Sequence, residues 1–220
     1  MKLCHFFYVV ATVGVIGIIY ILILLRSSMR PISISDMVSV DDRKNIKATN
    51  QIGDFEQIKG TEVFRAALSL NQEYDSSYGS KETSSIQNYV FFDSNQKVSY
   101  WLKPKNEGLI LSLIALAENE DYKFEPSKIT PKAYIYLTVE KDTNNDKRIG
   151  WQDRKQISMS DASGLRFKVL IDQVDRLNGS STVKNNRVFL FYQLENKLKV
   201  AEVDLRSQEI ISNSEFSAKP

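Results

Sequence analysis

Oxygen-bearing side chains recur at alternate positions in one short stretch of this chain: Asp142, Asn144 and Asp146, followed by Asp153. Hard divalent cations such as calcium take oxygen ligands, and a twelve-residue loop can supply them from positions 1, 3, 5, 7 and 12. Counted from Asp142, these are Asp142, Asn144, Asp146, the main-chain carbonyl of Arg148, and Asp153. Ile149 follows at position 8, where an apolar side chain can pack inward and pin the loop to the fold. Three carboxylates gathered at one point repel each other, and a bound cation would remove that repulsion. Two positions depart from the pattern. Position 6, where the loop must turn sharply and Gly is expected, is Lys147; a left-handed Lys costs about 1 kcal/mol. Position 12 is Asp153, with a shorter reach than the usual bidentate Glu. An Asn/Asp-rich turn without metal is the plainer alternative. We expect structural Ca2+ held in the weak class, roughly 0.1–1 mM, and no sensing role, because no second loop of this kind pairs with it.

Much other chemistry is excluded. The only Cys is Cys4 and the only His is His5. Everything after them lacks the residues for a Cys–His or Ser-His-Asp nucleophile, or for a zinc site of the usual kinds. Glu118, Glu120, Asp121 and Glu125 form an acidic cluster, and paired carboxylates can hydrolyse glycosides. Beside Asn119, Lys123 and Pro126 they read as a solvated surface instead. No Ser-x-x-Lys stands in a persuasive context. No catalytic residue is assigned.

Charge separates the chain into two parts. The net charge is +2, with Lys2, Arg26 and Arg30 and no acid near the start. The remainder is an even mixture of both signs, not the basic stripe that nucleic acid requires. Residues 6–25, FFYVVATVGVIGIIYILILL, carry no charge. A bilayer core about 30 Å thick needs roughly 20 apolar residues in a helix, so this run is long enough to span. Phe6, Phe7 and Tyr8 suit one interface. The flank ILLRSSMRP offers no convincing processing site, which favours an uncleaved signal anchor. Its orientation is contested. The Lys/Arg count around the span favours the C-terminal side inside, whereas a Met-Lys start before an apolar run has the layout of an export signal. Long domains translocate largely regardless of charge, and we adopt the C-terminal domain outside the cytoplasm, most simply at an inner membrane.

Three regions follow. Residues 1–30 are the signal anchor and transmembrane helix, with the span at 6–25. Residues 31–54, polar and poorly periodic, read as a juxtamembrane linker. Residues 55–220 carry short runs of Val, Ile, Leu, Phe and Tyr between Asn, Asp, Ser and Gly, which is the strand-and-turn pattern of a mainly β, antiparallel domain. Its clearest hairpins are NYVFF–DSNQ–KVSYWL, QISMS–DASG–LRFKVLI and RVFLFYQ–LENK–LKVAEVDL. Gly164 can supply the positive φ that ends the second turn. The runs LILSLIALA and GTEVFRAALSLNQEY fit strand or helix equally. Alternation in the first hairpin assigns Phe91, Phe92, Tyr100 and Trp101 to the core.

The phrase VFLFYQLENKLKVAEVDL resembles blade fragments of TolB-type β-propellers. The order YVFFD…VSYWL, then YIYLTVEKDTNNDKRI…DRKQISMSDASG, is similar to a group of uncharacterised bacterial membrane-anchored proteins. The likeness covers roughly residues 86–205. It implies blade-like hairpins but no activity, and three hairpins fall short of a closed propeller. The 142–153 loop is similar to the calcium loops of EF-hand and dockerin families, whose dockerin branch also tolerates Asp at position 12.

These features describe a single-pass membrane protein presenting a β-rich binding or assembly module at the cell envelope, stapled by calcium, with a protein partner. A hydrolase using carboxylates or metal-bound water is the alternative; reversed topology would make it a cytoplasmic regulatory domain. Removing residues 1–30 should yield a soluble folded chain, while the full chain should sediment with membranes. A full-length chain found wholly in the soluble fraction, or cut just after Leu25, would overturn the anchor.

Overall fold

The computed structural model describes residues 33–35, 37–40, 46–76, 79–118 and 129–217. The anchor span 6–25 lies outside them, as do Glu120, Asp121 and Glu125. Among the described residues there is no helix, and none long and apolar enough to cross a membrane. The chain is mainly β.

The first sheet is built on one long hairpin. Its strands are β1 (Ser33–Ser35), β3 (Ile46–Ile52), β4 (Glu56–Gln57), β5 (Val63–Ser76), β6 (Gly79–Asp93) and β7 (Val98–Trp101). Strands β5 and β6 pair along their whole length; β3 and β4 pair in turn with β5, and β7 with β6. All these pairs are antiparallel. Strand β1 runs parallel to β6. The short β2 (Met37–Ser39) belongs to another ladder, described below.

The second sheet is a meander of β8 (Leu109–Leu116), β9 (Ala133–Val139), β11 (Lys155–Asp161) and β12 (Lys168–Val174). Between β9 and β11, β10 (Arg148–Gly150) leaves the sheet to pair with β2. The third sheet is a second meander, β13 (Arg176–Ser180), β14 (Arg187–Leu194), β15 (Lys197–Asp204) and β16 (Glu209–Glu215). Tight turns join these strands, and Glu195 and Asn196 between β14 and β15 both take positive φ. That is the geometry which matches a two-residue turn to strand twist.

The sheets stack, with the second in the middle. On β9, Ile135, Leu137 and Val139 join Ile157 and Met159 against Val188, Leu190, Tyr192, Ala201 and Val203 of the third sheet. The alternate residues Tyr134 and Tyr136 pack with Val63, Tyr89 and Phe91 of the first. All of β9 is buried, because both faces of its sheet are covered. A fully buried Ile, Leu or Phe is worth roughly 1.5–3 kcal/mol, so this double layer is the main stabilising term.

The turn after β11 locks the first sheet to the second. Phe91 stacks on Tyr100 at 5.5 Å and 6°, and the Tyr100 hydroxyl donates to the Ser163 carbonyl at 2.7 Å. Gly164 lies directly over the Phe91 ring at φ +80°. A Cβ there would overlap the ring, so the position requires Gly for space as well as for conformation.

All three expected hairpins form, although β12 begins at Lys168, later than the Leu165 start that the sequence suggested. Both ambiguous runs are strands. The stretch 31–54, read as a tether, contributes β1, β2 and β3. Strand β3 is almost wholly exposed and is held by its ladder to β5, so it has no apolar stripe to reveal it. Phe92 and Trp101, expected in the core, are 37% and 43% exposed. Their partners Phe91 and Tyr100 face the second sheet, whereas Phe92 and Trp101 alternate to the outer face of the first.

Candidate metal site

The 142–153 loop leaves the end of β9 and returns through β10 to the start of β11. Its side chains fold back on its own amides. Asp142 accepts from the Asn145 and Lys147 N–H groups, both at 2.7 Å. Asn144 Oδ1 accepts from Asp146 N and Asp146 Oδ1 from Arg148 N, each at 2.9 Å. These are side-chain turns of the Asx kind, which suit Asn and Asp because their short side chains reach the backbone two or three residues on. Asn145 and Lys147 adopt φ of +61° and +63°, so Lys147 does take the left-handed turn that the spacing demands of position 6.

Asp153 closes the loop from beneath. It is buried, and its Oδ1 accepts from both N and Oγ1 of Thr143, at 2.7 and 3.1 Å. Its Oδ2 accepts from Gly150 N at 2.9 Å. One carboxylate therefore ties the entry of the loop to its exit. Thr143 extends the tie, its Oγ1 accepting from Arg154 N at 2.9 Å. Under the exit, Lys155 is buried and its ammonium donates to the carbonyls of Trp151 and Asp153, at 2.6 and 2.8 Å. Burial holds the Lys155 ammonium below the usual lysine range, against the upward pull of Asp153 and Asp175. Thr143 and Lys155 carry no ligand signature, and spacing alone did not single them out.

The exit strand is held by β2. Ile149 pairs with Val38, Arg148 with Ser39 and Gly150 with Met37, while Val40 N donates to Lys147 O at 3.0 Å. That register makes Arg148–Ser39 a non-hydrogen-bonded pair. The Arg148 carbonyl therefore stays out of the ladder, on the same edge as its N–H, which meets Asp146. Ile149 is half-buried and packs on the core between the second and third sheets, as expected of position 8. The other edge of β2 is satisfied by the first sheet. Ser39 exchanges two hydrogen bonds with the Gln72 amide, at 2.8 and 3.0 Å, and Met37 exchanges two with the Ser85 hydroxyl, at 2.9 and 3.1 Å.

Among the described residues no three His, Cys, Asp or Glu side chains come together closely enough to hold a metal. A cation here would rely equally on Asn144 and the Arg148 carbonyl. The donor set fits that demand: hard oxygens only, with the free carbonyl on the inner edge. Asp153 is the most committed of the five, since three donors already meet its roughly four lone-pair sites. Of the expected acidic cluster, Glu118 is exposed and pairs with Lys132 at 3.6 Å.

No protein-family model matches the chain, and no curated protein does. Among solved structures it is similar to the beta-propeller domain of the Trilobed protease from Pyrococcus furiosus, described as having an open velcro topology. The identity is 10% and the TM-score 0.36, over 76% of this chain and 43% of that one. It is also similar to cobalt-substituted Synechocystis ACO, with 11% identity and a TM-score of 0.34, over 80% of this chain and 40% of that one. The chain thus spans less than half the length of either structure. At such identities and scores, neither likeness speaks to activity.

Asp153→Ala should destabilise the fold by on the order of 3 kcal/mol, because it strands the amides of Thr143 and Gly150 in a buried setting. Chemical denaturation of the full chain measures this, and the loss should persist in chelator. A variant as stable as the parent would mean that water replaces the carboxylate at no cost.

Proposed function

We propose that the chain is a single-pass membrane-anchored assembly module of the cell envelope, its β domain held outside the cytoplasm and its 142–153 loop stapled by calcium. The anchor rests on the uncharged run 6–25. The observation that carries the assembly reading is the state of the two end sheets. Strand β14 alternates Val188, Leu190 and Tyr192 inward with Phe189 and Phe191 outward, and β15 sends Leu198 and Val200 to that same outer face. Phe216 joins them, edge-on to Phe191 at 6.5 Å and 46% exposed. These side chains form an apolar patch beside the Arg187–Glu202 ion pair on the same face, and such a patch rimmed by charge marks a site of protein contact. At the opposite end, Phe64, Phe92 and Trp101 lie on the outer face of the first sheet beside Ala66, Leu68 and Val90, which are buried, so the free part of that face is the end around Phe92 and Trp101.

The occupant we name is a second copy of this chain, its first sheet laid on the third sheet of its neighbour. Such a contact continues the two sheet-on-sheet interfaces already present within the chain. Unlike faces joined in this way close into a ring or run on as a filament, according to the rotation between copies. A two-fold axis normal to the membrane would keep both anchors on one side.

Cross-linking tests the contact. With Cys4→Ser as background, full chains carrying Trp101→Cys and chains carrying Phe189→Cys should cross-link to each other on mild oxidation, far more than either does alone. Cross-links confined to like chains, or none, would defeat the reading.

Calcium has a separate test. Metal bound only by the native loop stabilises by mass action; at millimolar calcium and weak affinity the gain is about 1 kcal/mol. Thermal melts of the full chain should move upward with calcium relative to chelator, and Asp142→Ala with Asp146→Ala should abolish the movement. Coincident melts, with no heat of binding at millimolar calcium, would reduce the loop to a polar turn.

A further inference from the structure

A cleft of about 380 Å³ opens between the first and second sheets, large enough for a small organic molecule. Arg65 of β5 and Tyr134 of β9 face each other in it. The Arg65 guanidinium carbon lies 4.9 Å from the Tyr134 ring centre and 5.3 Å from that of Tyr89. Burial raises the Tyr134 phenol above its ordinary range, while the charge of Arg65 and a hydrogen bond from it pull the other way.

Arg65 has no ion-pair partner among the described residues; its Nη1 is enclosed in the protein without a hydrogen-bond partner, and it is the rest of the side chain that lines the cleft. That is unusual for a half-buried guanidinium, which carries five donors and a permanent charge. Aromatic faces attract the cation but cannot accept its in-plane hydrogens as a carboxylate does. The remaining demand is for an acid.

The other groups in the cleft narrow the acid. Leu113, Ala115, Ile129 and Pro131 line it and would suit a hydrocarbon tail. Glu56, the cross-strand partner of Arg65, and Lys59 also stand in the lining with opposite charges, which leaves the single charge of Arg65 in excess and suits a singly charged acid. Inorganic phosphate has no hydrocarbon tail and is in part doubly charged at neutral pH.

We propose that this cleft binds a monocarboxylate with a short aliphatic tail, its head on Arg65 and its tail along Leu113 and Ala115. The site is independent of both the calcium loop and the end-sheet contact.

The test uses the full chain in non-ionic detergent, with hexanoate as probe and hexanol and phosphate as controls. Backbone NMR shifts on adding hexanoate should centre on Leu113, Ala115 and Tyr134. Arg65→Met, which keeps the stem and removes the charge, should weaken hexanoate at least tenfold and leave hexanol unchanged. If Arg65→Met fails to fold, Ala115→Phe, which fills the cleft, should abolish the shifts instead. Equal response to hexanoate and hexanol in the parent chain would overturn the proposal, as would shifts centred elsewhere or phosphate binding as well as hexanoate.

Discussion

Everything in this fold hangs on the burial of β9 on both faces. A strand with one wet face alternates apolar and polar residues, but AYIYLTV has no polar face to offer water. Its odd residues require one apolar layer and its even residues another, so the second sheet is stable only between two others. The two layers differ in kind. Aliphatic side chains meet the third sheet, whereas tyrosines meet the first and bring hydroxyls that need partners. Tyr136 finds Ser160 at 2.9 Å, and burial drives its phenol far above the ordinary range despite that bond. Thr138 and Ser158 on the same sheet keep buried hydroxyls without partners. The tyrosine layer is therefore the more polar and less fully satisfied of the two interfaces, and it is the one that holds the Arg65 cleft.

That asymmetry also positions the loop. Strand β9 ends at Val139, fully buried, and the chain must then turn through exposed residues before β11 can begin against the same strand. Loops that leave a buried strand carry backbone groups which water or side chains must satisfy. Here the loop does this with its own Asp and Asn side chains, and Asp153 draws the two ends together. Hydrogen bonds within the loop hold this arrangement without a cation, so the structural role of Asp153 stands apart from the ligand role proposed for Asp142, Asn144 and Asp146.

The sequence revealed those parts of the fold that have a side-chain signature. The three hairpins were legible because apolar alternation and turn residues coincide in them. The loop was legible because oxygen donors recur at a fixed spacing, and even the strained Lys147 could be placed from its position in that series. Strand β3 was not legible, because IKATNQI packs nothing and is defined only by hydrogen bonds to a strand far along the chain. Strand β2 failed for the same reason: its neighbours are β10 on one edge and the side chains of Gln72 and Ser85 on the other. Arg65 was invisible because its environment is built from β5, β6 and β9 together, and no local pattern records which rings a guanidinium will meet. Phe92 and Trp101 were misassigned because alternation says that two faces differ without saying which one is covered.

Strand β2 has a consequence that goes beyond packing. It follows closely on the segment read as the membrane anchor, and it is clasped on both edges. One clasp is the ladder to β10, whose residues 148 and 149 belong to the calcium-type loop; the other is the pair of buried polar side chains Gln72 and Ser85, 6% and 1% exposed, in the first sheet. Buried Gln and Ser are costly unless their partners are fixed, so these two side chains gain from β2 what β2 gains from them. Loosening the loop would free one edge of β2, and with it the partners of Gln72 and Ser85. The loop is thereby linked, through one three-residue strand, to the first sheet. Whatever stiffens residues 142–153 would act along that path on β2, Gln72 and Ser85 rather than merely raising the stability of an isolated turn.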